Sequence, residues 1–340
     1  MRIHKVLLFS LFYLLFVEGA FAQKYGWKEF ETPVEVSLRG LSAVSDDVIW
    51  ASGSGGVWLK SEDGGQNWDH GIIDGLDSVD FRSIHAFDKS NAVSASAGQP
   101  AVIYRTSDGG NSWQRVLTLS KEAFLDGISF SDPLNGFVFG DPVNGEWMIY
   151  KTHDAGFTWE KLENTPEVIK GEAGFAASGS SMVATGNILW IGSGGTQSNL
   201  WFSYDLGDTW EKKPSPLSQG QPSQGIFSTC FISPELVVAV GGDYLKPEET
   251  EGTLGIFSVS NGKWISGVSE LYGYRSGVEY LIKRDLLIAV GPSGSDYSLD
   301  IGKTWSNFSS SGFHAVRTTK NGSVLWASGS DGRIAKLIEY

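Results

Sequence analysis

The chain has 340 residues, a formal net charge of −13 and a single cysteine, Cys230. Nucleic acids and anionic membranes require a cationic footprint, so neither is expected as a partner of so acidic a chain. One cysteine excludes an intramolecular disulfide, so stability must come from a large buried core, which a chain of this length can supply.

The first element is a secretory leader. Arg2 and Lys5 precede an apolar run from Val6 to Val17, and Ala20-Phe21-Ala22 forms a small-x-small cleavage site. The run is too short for a membrane span. Residues 1–22 are therefore expected to be removed, leaving 23–340 as an exported monomer, periplasmic or extracellular. No later stretch is apolar enough to cross a bilayer.

Beyond the leader, short apolar or β-branched stretches recur, bounded by Gly, Asn and Asp. They are Val48–Gly53, Ala92–Ser96, Gly136–Gly140, Ile188–Gly192, Leu236–Gly241, Leu286–Gly291 and Val324–Gly329. Each reads as a buried strand, and no helical periodicity competes with them. Behind most of them comes the phrase Ser/Thr-x-Asp-x-Gly-x-x-Trp. Its copies are Ser61–Trp68, Thr106–Trp113, Thr152–Trp159, Ser203–Trp210 and Ser298–Trp305, with Asp-to-Asp steps of 45, 46, 51 and 95 residues. The double step hides a decayed copy, Ser258–Trp264, in which Ser260 replaces the Asp.

A period in the forties is that of a four-stranded propeller blade. The chain is expected to be all-β, a single seven-bladed β-propeller of four-stranded blades. The blades run approximately 36–74, 79–119, 123–164, 171–214, 223–269, 273–309 and 312–340. The last unit lacks an outer strand, and Trp27-Lys28-Glu29-Phe30 resembles the segments that begin at the box tryptophans, such as Trp159-Glu160-Lys161-Leu162. Residues 25–31 are predicted to complete that blade and close the ring.

The recurring box has a structural reading. Asp63, Asp108, Asp154, Asp205 and Asp300 would accept backbone N–H bonds in a tight turn, as Asx turns do. The Gly supplies a positive φ, and Trp68, Trp113, Trp159, Trp210, Trp264 and Trp305 pin each turn to the core. Trp27 would act as the seventh. A group recurring in every blade is a folding element, whereas a catalytic group is normally singular.

A working site is expected at the opposite end of the blades, where the innermost strands begin. Aligning those starts places Arg39, Arg82, Asp126, Ala173 with Glu172, Gln224, Arg275 and His314 around the channel mouth. Arginine recognises carboxylates in a bidentate manner, so Arg39, Arg82 and Arg275 point to an anionic group on the partner. No metal or cofactor is expected. His70, His85, His153 and His314 lack ligand spacing, and no dinucleotide fingerprint or Cys-x-x-Cys is present. The acidic stretch Asp243–Gly252 is expected to be a long loop on blade 5.

The boxes resemble the Asp-box, or bacterial neuraminidase repeat. Their setting, Phe130–Gly140 and Tyr104–Trp113, resembles the photosystem II stability/assembly factor-like family of seven-bladed propellers. The resemblance implies a non-catalytic exported scaffold that binds a protein client. Photosynthetic members contact theirs with an Arg cluster; this acidic chain has no dense cluster, which implies a non-photosynthetic bacterial relative. Asp-box repeats also occur in glycosidases. The alternative is therefore a glycan-binding protein or glycoside hydrolase, with Asp126 and Glu172 as paired carboxylates in an endoglucanase-like site. A sialidase-like site would use the three arginines, but the chain has Arg39-Gly40-Leu41 where that family carries Arg-Ile-Pro.

Overall fold

The computed structural model describes residues 24–265 and 268–340. The expected leader lies outside the described residues. Seven four-stranded antiparallel blades form a propeller ring, and the only helical pieces among the described residues are two 3-10 turns, Ser54–Gly56 and Ile282–Arg284.

The innermost strands, blades 1 to 7, are Leu38–Ala43, Asp80–Ala86, Leu125–Phe130, Met182–Thr185, Gln221–Ser233, Gly277–Leu281 and Ala315–Thr318. The second strands coincide with the seven apolar stretches. Ile49–Gly53, Ala92–Ala97 and Leu286–Gly291 are buried at every position. Blades cover both faces of these strands, so they read as continuous apolar runs rather than alternating ones. The Gly that ends several of them is required by close approach. A Cβ on Gly53 would lie 2.1 Å from the Ser37 carbonyl oxygen, and one on Gly140 2.1 Å from that of Phe124.

Ring closure is as expected. Tyr25–Phe30 pairs antiparallel with Ile334–Glu339, from Tyr25 opposite Glu339 to Phe30 opposite Ile334. The two ends of the chain thus share one sheet, and the edge of the last blade is covered.

The core lies between blades. Each interface holds one tryptophan of the repeat, in ring order Trp68, Trp113, Trp159, Trp210, Trp264, Trp305 and Trp27. The boxes set these rings. In each of the five intact copies the Ser/Thr hydroxyl donates to Asp Oδ1 at 2.6–3.0 Å. The same hydroxyl accepts the Gly N–H at 2.8–3.0 Å. Asp Oδ1 also takes the N–H of the residue before Trp at 2.9 Å. Asp Oδ2 takes that residue's side chain (Asn67, Ser112, Thr158, Thr209 or Thr304) at 2.6 Å. The carboxylate is saturated by its own turn. The motif as read from the sequence leaves this last partner as an unspecified position.

One arrangement differs from expectation. The sequence pattern starts blade 4 at residue 171, with Glu172-Ala173 on its inner strand. That inner strand is instead Met182–Thr185, and Glu172–Ala173 pairs with Gly194–Gly195 at the edge of the blade 5 sheet. Residues 174–181 are thereby released from the blade and enter the channel.

Candidate functional site: a strapped channel mouth

Residues 174–181 (Gly-Phe-Ala-Ala-Ser-Gly-Ser-Ser) form a strap across the propeller axis. Five other blades bond to it and a sixth packs against it. The Ala177 carbonyl accepts from Arg39 Nη1 of blade 1 at 3.1 Å, and the Ser178 carbonyl from Arg317 Nη2 of blade 7 at 2.9 Å. Ser178 Oγ donates to the Ser276 carbonyl of blade 6 at 2.7 Å, and the Ser180 and Ser228 hydroxyls meet at 2.7 Å on blade 5. Gly179 bridges Gly127 of blade 3. It has φ 68°, and a Cβ there would lie 2.8 Å from Ser83 Oγ of blade 2. Only small residues fit where seven inner strands converge.

Above the strap lies a chamber of about 560 Å³. Its polar wall is Arg39, Arg82, Asp126, Asp141 and His314. Three of these stand at breaks in strand register. The pairing of the first two strands skips Arg39 between Leu38 and Gly40, Asp126 between Leu125 and Gly127, and Arg82 between Asp80 and Ser83. A bulge leaves its residue out of the ladder and re-aims the side chain, here toward the axis. The same break on blade 5 falls at Phe227, between Ile226 and Ser228.

Arg39, Arg82, Asp126, His314 and Ala173 are thus brought together; Glu172, Gln224 and Arg275 are not. Gln224 lies three residues short of the bulge and donates to Asp243 Oδ2 at 3.2 Å. Arg275 lies one residue short of the chamber position, which Ser276 occupies. A one-residue offset turns a strand side chain to the other face. Arg275 is fully buried, paired with Asp296 at 2.8 Å. Glu172 is also buried and off the chamber. Its Oε1 accepts from Ser193 Oγ, from Asn199 Nδ2 at 3.0 Å and from Trp201 Nε1 at 2.8 Å. Asp126 and Glu172 therefore do not flank a shared cleft.

Sequence reasoning missed Asp141, the strap and an aromatic wall. Phe175 of the strap stacks on Phe227 at 3.7 Å between centroids, and Phe227 meets Tyr274 edge-on at 4.8 Å. Tyr244, at the start of the acidic loop, adds a ring at the rim. The available signal was the run of small residues at 176–181, which no strand pattern explains.

The chamber carries two guanidinium groups. Burial, and then Arg82, lower the Arg39 pKa, yet a guanidinium remains charged in proteins. Arg82 pairs with Asp80 at 2.7 Å; among the described residues Arg39 has no carboxylate partner. Burial, and then Asp141, raise the Asp126 pKa well above its ordinary value, which favours its neutral form. Burial, reinforced by Arg39, Arg82 and Arg333, pushes His314 down to about 3, so it too is neutral. The wall thus carries the Arg39 guanidinium, the Arg82 guanidinium paired with Asp80, and the Asp141 carboxyl, which burial raises and which accepts the Gly174 N–H at 2.8 Å. Arg39, beside apolar rings, is the group suited to an anionic group attached to an apolar one.

The fold and this mouth define a class: a seven-bladed propeller with an aromatic, arginine-bearing axial chamber. The chain resembles the photosystem II assembly factor-like family. A sequence model for "Photosynthesis system II assembly factor YCF48" matches residues 20–122. The photosystem II assembly lipoprotein Ycf48 of Synechococcus sp. (strain CC9902) is 26% identical over 134 residues. That match spans 39% of this chain and 39% of the relative's length. Among solved structures, YCF48 bound to D1 peptide superposes with a TM-score of 0.62 at 17% identity, covering 92% of this chain and 94% of that one. YCF48 from Cyanidioschyzon merolae gives 0.61 at 19% identity, covering 91% and 98%. The GH74 xyloglucanase from Xanthomonas campestris gives 0.62 at 15% identity, covering 92% of this chain and 53% of that one. At these identities the structural likenesses show the shared fold.

Proposed function

We propose that this protein is an exported scaffold that binds a segment of a protein client in the channel mouth, placing an anionic group of that segment on Arg39 and Arg82. The observation that carries this reading is the Arg39 guanidinium, without a carboxylate partner among the described residues, beside Arg82 in an aromatic chamber of about 560 Å³. Two like charges held close are stabilised by an anion between them, and the rings supply apolar area for the residue bearing it. The likeness to a propeller described as bound to a peptide supports a protein client, and a relative named a lipoprotein supports export. The glycosidase reading draws on the fold alone, because its candidate acid pair is split between the chamber and a buried sheet.

The test is affinity capture from the producing cell's envelope, comparing the wild-type protein with the Arg39→Ala/Arg82→Ala double variant. A client that co-purifies with the wild type and drops at least about tenfold with the variant supports the proposal. Equal capture by both proteins removes the mouth from consideration.

A further inference from the structure

The strap also closes a second chamber, which opens on the face that carries the boxes. Its volume is about 370 Å³, its floor is Ser178–Ser180, and exposed Thr185 and Lys320 stand at its rim. Arg317 and Glu279 project into it from the inner strands of neighbouring blades 7 and 6. Arg317 is oriented by its bonds to the Val316 carbonyl at 2.8 Å and the Ser178 carbonyl at 2.9 Å. Glu279 accepts from Thr318 Oγ1 at 3.4 Å. No direct ion pair joins Arg317 to Glu279 among the described residues, although each is the other's chief opposing charge. Thr229, 3% exposed, lines the same chamber; its hydroxyl oxygen is itself buried and has no hydrogen-bond partner among the described residues. The rest of the wall includes Leu41, Ile84, Ile128 and Met182.

Opposite charges held apart at one end of a small cavity differ from an ordinary buried ion pair, which closes to contact to offset its desolvation. A ligand carrying both signs satisfies both groups at once. The chamber volume lies at the small end of ligand pockets. It admits a ligand of amino-acid size and excludes a folded chain. The strap separates it from the mouth, so its occupant enters from the box face.

We propose that this chamber binds a small zwitterion with an apolar side chain, of the α-amino-acid class. The carboxylate sits on Arg317, the ammonium on Glu279, and the side chain against Leu41, Ile84, Ile128 and Met182. This site is independent of the client reading above. Arg317 also ties the strap, so occupancy braces the floor that both chambers share.

Isothermal titration of the full chain with L-leucine tests the proposal. Two analogues serve as controls: 4-methylpentanoate, which lacks the ammonium, and 3-methylbutylamine, which lacks the carboxylate. Leucine binding, with each analogue weaker by about tenfold or more, is the expected result, since each loses one charge-assisted contact. Glu279→Gln, confirmed folded by its melt, should lose the preference for leucine over 4-methylpentanoate while retaining some affinity for both. Absence of leucine binding at millimolar concentration overturns the proposal. So does equal binding of leucine and either analogue.

Discussion

Trp27→Ala is the sharpest probe of how the ring is closed. Trp27 lies on the N-terminal strand, yet its ring packs 4.9 Å from Phe313 and 5.7 Å from Phe308, and its Nε1 donates to Ser295 Oγ at 3.0 Å. Truncating a fully buried Trp costs about 3–5 kcal/mol. Trp27 is half-buried, which brings the packing loss to roughly 2 kcal/mol, and the lost hydrogen bond adds about 1 kcal/mol. For a domain of this size roughly 2 °C of Tm accompanies each kcal/mol, so a fall of about 6 °C is expected. Trp113→Ala, at an interface far from either end of the chain, provides the comparison. Its Nε1 has no partner among the described residues, so it should lose about 2 kcal/mol and roughly 4 °C. The assay is thermal denaturation followed by far-ultraviolet circular dichroism, with urea titration to check that the m-value holds. Deleting residues 24–31 should lower the melt further and, by exposing the edge of Ile334–Glu339, cause concentration-dependent association. A Trp27→Ala melt within about 1 °C of wild type would show that the N-terminal strand is an appendage rather than a clasp.

Three further outcomes are expected from the geometry. The Ser203 and Thr209 side-chain bonds and the Thr209 N–H pull Asp205 down to about 2. A depressed carboxylate stabilises the fold above its unfolded pKa near 3.9 and loses that contribution as pH falls toward 2. Asp205→Asn should therefore flatten the acid limb of the stability-versus-pH curve between about pH 4 and 2. Asp126 has the opposite sign: burial raises it, so holding it protonated destabilises the fold increasingly above pH 4. Asp126→Asn should raise the melting temperature at pH 8 and leave it unchanged at pH 3. In the strap, Gly179→Ala forces a Cβ into a left-handed backbone and against Ser83, and should cost about 1–3 kcal/mol by urea denaturation.

The fold was legible because its signal is repeated. Each intact box contains its own hydrogen-bond partners within eight residues, so the pattern survives in a single sequence. The closing strand was legible because Trp27 keeps the role of the other box tryptophans. The mouth was legible only in part. Arg39, Arg82, Asp126 and His314 each sit one residue after a buried Leu or Phe that anchors the inner strand. Arg275 broke the alignment because its side chain serves Asp296 inside the blade, a contact that nothing in the local sequence announces. On blade 5 the alignment favours Gln224 although Phe227 occupies the bulge, because an aromatic residue there reads as core. The strap was invisible for a different reason. Its bonds reach Arg39, Ser276 and Arg317 through carbonyls and hydroxyls, across separations of 138, 98 and 139 residues. Backbone acceptors carry no residue-type signature.

On the proposed reading the mouth, rather than the box face, meets the client. Tyr244, on the mouth rim, and Leu299, within the last box, are both 47% exposed, so either can be replaced by a photo-crosslinking phenylalanine derivative at similar cost. Irradiation in the producing cells should give a discrete adduct of higher mass from position 244 and none from position 299. An adduct from position 299 alone would contradict the account and place the client on the outer turns.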